Sequence, residues 1–138
     1  MPERTTKKEV ILVIDDEPSV ADALSLILSD IGYEVIIACN GRDGLEKHCQ
    51  QKCDITITDI RLPDISGLDV LSRIREKDPN GLVIVITSHS TPDVVAESLS
   101  RGAFNILPKP FLPSELLALI SEALDARRCT PSGPEFHP

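Results

Sequence analysis

The feature that most constrains this chain is an alternation. Short aliphatic or β-branched runs are separated by longer stretches with helical spacing. Val10–Ile14 is a continuous apolar run, as expected of a strand buried on both faces. Val20, Leu24, Ile27, Leu28 and Ile31 then recur at helical spacing, and Gly32 reads as the stop. Glu34–Ala38 predicts a second, weaker strand, and Gly41–Gln51 a second helix with Leu45 and Cys49 turned inward. Ile55–Thr58 predicts a third strand. Leu68, Leu71 and Ile74 predict a third helix that ends near Asp78 and Pro79. Leu82–Ile86, the most apolar run, predicts a fourth strand. Thr91 and Pro92 read as the N-cap and first-turn proline of a fourth helix, which carries Val94, Val95 and Leu99 to Gly102. Phe104–Leu107 predicts a short fifth strand. Ser114–Arg127 predicts the last helix, with Leu116, Leu117, Ile120 and Leu124 on one side.

Five strand–helix units in this order predict an α/β fold, with helices on both faces of a parallel sheet. The natural arrangement is a flavodoxin-like, doubly wound five-stranded sheet of order 2-1-3-4-5 with five helices. A chain of 138 residues suits one domain with one core. Aromatic residues are only 3%, with no Trp, so Val, Ile, Leu and Ala must build that core. The net charge of −8 argues against direct binding to nucleic acid, because phosphate backbones demand a basic surface. No stretch approaches the roughly 20 apolar residues of a membrane span. The polar segment 1–9 lacks the apolar run of a signal peptide, so a cytoplasmic location is expected. Cys39, Cys49, Cys53 and Cys129 are then expected as free thiols. Cys49 and Cys53 beside His48 suggest a metal site only weakly, because no second ligand pair with zinc-like spacing exists.

In the 2-1-3-4-5 order, ligands bind beyond the C-terminal ends of the strands, where the first and third strands part. Asp15, Asp16 and Glu17 directly follow the first strand, and Asp59 follows the third. Carboxylates crowded into one crevice repel one another unless a hard cation sits among them, and Mg2+ takes oxygen ligands of this kind. The alternative is that these acids merely cap the following helix, a role that suits Glu17. Thr87 at the end of the fourth strand adds a hydroxyl, and Lys109 at the end of the fifth adds an ammonium group. Acids, a hydroxyl and a cation on one rim fit phosphoryl transfer, where catalysis is largely positioning and charge neutralisation.

Val13–Glu17 reads Val-Ile-Asp-Asp-Glu. Thr58–Pro63 reads Thr-Asp-Ile-Arg-Leu-Pro, with Gly67 beyond. Ile86-Thr87-Ser88, Gly102-Ala103 and Lys109-Pro110-Phe111 complete an ordered set. With these motifs the chain resembles the receiver domain of two-component response regulators, from about Val10 to Leu124. The stretch from Gly102 to Phe111 looks most like regulators paired with sigma-54 activator domains. The resemblance implies that Asp59 is the phosphorylation site of a phosphoacceptor that assists its own modification rather than a turnover enzyme. It implies Mg2+ held directly by Asp16, Asp59 and the backbone carbonyl of Arg61, with Asp15 acting through a bound water. Lys109 would pair with the acceptor carboxylate and then with the phosphoryl oxygens, and Thr87 would hydrogen-bond the phosphoryl group. The peptide bond before Pro110 is expected to be cis. Arg61 and His89 occupy positions that tune dephosphorylation in the family.

The implied partner is a sensor histidine kinase or a histidine phosphotransfer protein, with an output domain or effector protein downstream. Self-association through the fourth and fifth helices is common in the family. The surface of helix four, strand five and helix five would switch. Ile106 stands where the family often has an aromatic residue, and Phe104 shares its strand parity. Two rival readings remain. A pseudo-receiver would use the same fold as a constitutive binding module. A haloacid dehalogenase-type hydrolase needs an Asp-x-Asp motif, which Asp15-Asp16-Glu17-Pro18 breaks. The receiver domain is expected over residues 10–127, followed by a disordered tail, a linker or a cloning remnant over 128–138.

Overall fold

A computed structural model describes residues 8–129. Five strands, β1 (Val10–Ile14), β2 (Glu34–Ala38), β3 (Ile55–Asp59), β4 (Leu82–Thr87) and β5 (Asn105–Pro108), alternate with five helices. These are α1 (Pro18–Ile31), α2 (Gly41–Gln50), α3 (Gly67–Lys77), α4 (Pro92–Ser100) and α5 (Pro113–Cys129). All strand pairs are parallel, and the order is β2-β1-β3-β4-β5. The expected fold is therefore the observed one. Helix α5 runs two residues past the expected Arg127. Residues 130–138, where the rest of the tail was expected, lie outside the described residues, as do residues 1–7.

The burial of each strand follows its place in the sheet. Central β3 is buried at every position, and β1 and β4 at all but their first. Edge strands β2 and β5 are only partly covered, which is why the β2 run reads as weaker. Alternate strand residues feed two cores. Ile11, Val13, Ile57 and Ile84 pack with Leu24, Leu28, Leu116 and Ile120 of α1 and α5. Leu12, Ile14, Val83 and Val85 pack with Val70, Leu71 and Ile74 of α3. At about 1.5–3 kcal/mol for each buried aliphatic side chain, this two-sided burial is the main favourable term of the fold.

Helix α1 ends as expected. Gly32 adopts φ 116°, and the next amide, of Tyr33, donates to the Leu28 carbonyl at 3.1 Å. Thr91 caps α4, its hydroxyl oxygen accepting from the Val94 N–H at 3.3 Å. Three helix residues expected to face the core do not. Ile31 and Leu99 are 55% and 46% exposed, and Cys49 is exposed. Ile31 occupies the last position of α1 before the chain turns away. In α4 the wholly buried residue is Ser98, whose hydroxyl donates to the Val94 carbonyl.

Candidate functional site: an acidic crevice at the strand ends

The C-terminal ends of β1, β3, β4 and β5 meet at a crevice of about 270 Å3, lined by Asp16, Glu17, Asp59, Arg61, Thr87 and Lys109, with Ser88 and His89 at its edge. Two strands extend one residue further than the runs that predict them. Asp59 is the last residue of β3 and Thr87 the last of β4, and both are buried. The sheet thus carries the Asp59 carboxylate and the Thr87 hydroxyl on rigid backbone rather than on loops. Gly67 allows this to close up. Its N–H donates to the Ile60 carbonyl at 2.8 Å, and a Cβ there would sit 1.9 Å from the Asp59 carbonyl oxygen.

Lys109 follows β5 directly, and its own N–H donates to the Thr87 carbonyl at 2.8 Å. Its ammonium nitrogen lies 2.8 Å from Asp59 Oδ2, 3.2 Å from Asp15 Oδ2 and 3.2 Å from Glu17 Oε1. Burial alone would depress the Lys109 pKa. The hydrogen bond and charge of Asp59, followed by those of Asp15, outweigh burial and hold it above the ordinary lysine value. Lys109 is therefore a fixed cation at neutral pH. The Lys109–Pro110 peptide bond is cis, as expected.

Asp15 is 1% exposed. Its N–H donates to the Ala38 carbonyl at 3.1 Å, and its Oδ1 accepts from the Glu17 N–H at 2.9 Å. Burial pushes its carboxyl pKa up. The Glu17 amide and Lys109 oppose this, and the neighbouring Asp59 adds to it. The tight turn from Asp15 to Glu17 delivers the Glu17 carboxylate to Lys109. Glu17 stands at the N-cap position of α1, but its side chain makes no capping bond, so the capping role given to it is corrected. Oxygens of Asp15, Glu17 and Asp59 converge within 4.8 Å of one another. Asp16, expected as a direct metal ligand, lines the crevice from an exposed position and is not part of that close group. Three carboxylates around one ammonium leave a negative excess among oxygen donors only, a donor set that fits a hard cation such as Mg2+.

The remaining candidates fall into place around this centre. The Arg61 N–H donates to Asp59 Oδ1 at 3.3 Å, and its side chain is exposed. The Thr87 hydroxyl oxygen accepts from the His89 N–H at 3.0 Å. Ile106 packs in the core on the α3 side, whereas Phe104 packs in the core on the α1 and α5 side. The shared parity expected of them fails because β5 begins only at Asn105. Phe104 is thus no substitute for an aromatic residue at Ile106. Cys49 accepts from Lys77 at 2.8 Å, and burial pushes the Cys53 thiol up to about 11. Among the described residues, His48, Cys49 and Cys53 form no converging metal group, and the free-thiol reading fits them.

Comparison with known proteins agrees with this geometry. Residues 11–121 match the family described as the response regulator receiver domain. The transcriptional regulatory protein DltR of Streptococcus agalactiae is 41% identical over 110 residues, which are 80% of this chain and 49% of that protein. The DNA-binding transcriptional regulator NtrC of Escherichia coli is 33% identical over 118 residues, 86% of this chain and 25% of that protein. The chain therefore spans about half or less of the length of these relatives. A CheY-like response regulator receiver domain protein from Methanospirillum hungatei superposes with a TM-score of 0.86 at 32% identity, covering 88% of this chain and 98% of that one. The fold, the acid cluster and the family match converge: this chain belongs to the receiver domain family of two-component response regulators.

Proposed function

We propose that this receiver domain takes a phosphoryl group on Asp59. The observation that carries the reading is the Lys109 ammonium, 2.8 Å from Asp59 Oδ2 in a crevice where three carboxylates meet. The donor is a phosphohistidine on a sensor histidine kinase or a histidine phosphotransfer protein. An Asp59 carboxylate oxygen attacks phosphorus, and the P–N bond to the imidazole breaks. The departing nitrogen keeps that electron pair and takes a proton, and an aspartyl phosphate forms. Lys109 moves its hydrogen bond from the carboxylate to the phosphoryl oxygens, and Thr87 donates its hydroxyl proton to one of them. Asp16, Asp59 and the Arg61 carbonyl would hold Mg2+, with Asp15 acting through a bound water. When bound, Mg2+ supplies neutralisation of the charge on the transferring group. Arg61 and His89 at the crevice edge tune the access of hydrolytic water.

An apolar groove of about 710 Å3 opens beside the crevice and shares Ser88 and Lys109 with it. Val20, Ala23 and Ile27 of α1 and Phe111 line it. Such a groove suits the docking of an apolar helix face of the donor. Thr87 turning to the phosphoryl group would draw on the start of α4, so the surface of α4, β5 and α5 reports the modification through aliphatic packing at Ile106. An output domain or effector protein reads that surface in the cytoplasm. The net charge of −8 disfavours direct contact of this domain with nucleic acid.

Incubation with Mg2+ and acetyl phosphate, followed by intact mass measurement, tests the reading. One alkali-labile phosphoryl adduct is expected, lost in Asp59→Asn and in excess EDTA. Absence of any adduct from wild type, with this donor and with a phosphohistidine protein, would favour the pseudo-receiver instead.

A further inference from the structure

The first three amides of α2 have no partner within the helix. Asn40 serves one of them, its Oδ1 accepting from the Asp43 N–H at 2.7 Å. The other two donate to a side chain far along the sequence. The Gly41 N–H bonds Asp64 Oδ1, and the Arg42 N–H bonds Asp64 Oδ2, each at 2.8 Å. Asp64 Oδ1 also accepts from the Ile65 N–H at 2.8 Å. One carboxylate in the loop between β3 and α3 therefore completes the N-terminus of the neighbouring helix α2. Packing reinforces the join, because a Cβ on Gly41 would sit 2.4 Å from Ile65 Cγ1.

Both bodies joined by Asp64 lead to the crevice. Helix α2 follows β2 after a short turn, and the last residue of β2, Ala38, accepts the Asp15 N–H at 3.1 Å. The β3–α3 loop is anchored at its inner end by the Arg61 N–H on Asp59 Oδ1 and by the Gly67 N–H on the Ile60 carbonyl. Its outer anchor is Asp64. Arg61 belongs to the inner anchor and lies three residues before the outer one.

We propose that Asp64 is a positioning residue for the cation site, which by tying the β3–α3 loop to the N-terminus of α2 sets the Arg61 carbonyl against the acid pair after β1. This rests on the reading of the crevice as a Mg2+ site. Groups that hold a ligand-bearing segment in place typically change metal affinity by about 10–100-fold when removed.

Calorimetric titration of Mg2+ into the EDTA-stripped, full-length chain tests it, below the melting temperature of every variant. Asp64→Ala is expected to raise the Mg2+ Kd roughly tenfold or more. Asp64→Asn, which keeps one acceptor oxygen, is expected to raise it less and serves if the alanine variant does not fold. Asn40→Ala removes the other cap of the same helix without touching the loop. It is expected to lower Tm as Asp64→Ala does and to leave the Mg2+ Kd unchanged. An unchanged Kd in both Asp64 variants, or an equal loss of affinity in Asn40→Ala, overturns the positioning role while leaving the cation site intact. Wild-type protein that fails to bind Mg2+, or an Asp59→Asn variant that binds it as well, overturns the cation reading and this inference with it.

Discussion

Asp15 carries a carboxylate at the edge of the sheet interior, where burial raises its pKa against the pull of the Glu17 amide and Lys109. A carboxyl raised in the folded state binds its proton more tightly there than in the unfolded chain. Stability then falls as pH rises through the interval between the ordinary and the raised value, and the cost persists at neutral pH. Asp15→Asn, melted in EDTA, is therefore expected to have a higher Tm than wild type at pH 7. It should also lack the wild-type gain in stability on acidification through that interval. A lower Tm at pH 7 with an unchanged pH profile would contradict this. Gly67 gives a second residue-scale test. A Cβ 1.9 Å from the Asp59 carbonyl oxygen meets backbone, which cannot rotate away. Gly67→Ala should cost about 1–3 kcal/mol in denaturant unfolding and should slow phosphorylation of Asp59. An alanine variant as stable as wild type would contradict the close packing. At this scale the sequence shows residue types and not meetings. Asp59, Thr87 and Lys109 are legible because each sits at a strand end that the fold directs to one rim. Glu17 and Asp64 are not. Glu17 reaches Lys109, 92 residues away, only because Asp15 turns the chain, and Asp64 finds α2 across a 22–23 residue separation.

Among the elements, α4 is thinly anchored. Its one wholly buried residue is Ser98, and Leu99 faces solvent. Polar contacts hold its C-terminal end. Arg101 donates to Glu97 at 2.7 Å and reaches across to Asp69 at 3.1 Å and Ser72 at 3.3 Å on α3. Exposed pairs of this kind contribute only about 0–1 kcal/mol, less than one buried aliphatic side chain. Helix α4 is thus suited to be the part that moves. Arg101→Ala is expected to speed amide hydrogen exchange in α4 while changing global stability by less than about 1 kcal/mol. Equal exchange in α4 and in α3 would contradict the weak anchorage. The central strands β1 and β4 are legible as aliphatic runs buried on both faces, and β3 because its alternating Ile and Thr are all β-branched. That Asp59 and Thr87 belong to the strands rather than follow them is not legible, because they are polar groups that continue the ladder. Leu99 lies off the inward face of α4, since helical spacing marks a stripe without saying whether a neighbour covers it. Phe104 departs from the expected face for a related reason, lying one residue before β5 begins, where strand parity does not apply.

For the whole molecule, the parallel order puts four strand ends around one acidic crevice, and a cation held there would offset its charge excess. Mg2+ bound by the folded state alone should stabilise it by about 2.7 kcal/mol at a hundred times its Kd. Tm is expected to rise with Mg2+ in wild type and to stay flat in Asp59→Asn. A rise of equal size in the variant would place the cation elsewhere. The central claim is that Asp59 itself carries the phosphoryl group, and borohydride trapping tests it most directly. The protein is phosphorylated with Mg2+ and acetyl phosphate, reduced with borohydride, digested and sequenced by mass spectrometry. An acyl phosphate on Asp59 is expected to appear as homoserine at that position alone, and only when Mg2+ was present. Homoserine at Asp15 or Asp16, or hydroxynorvaline at Glu17, with Asp59 unmodified, would contradict the account.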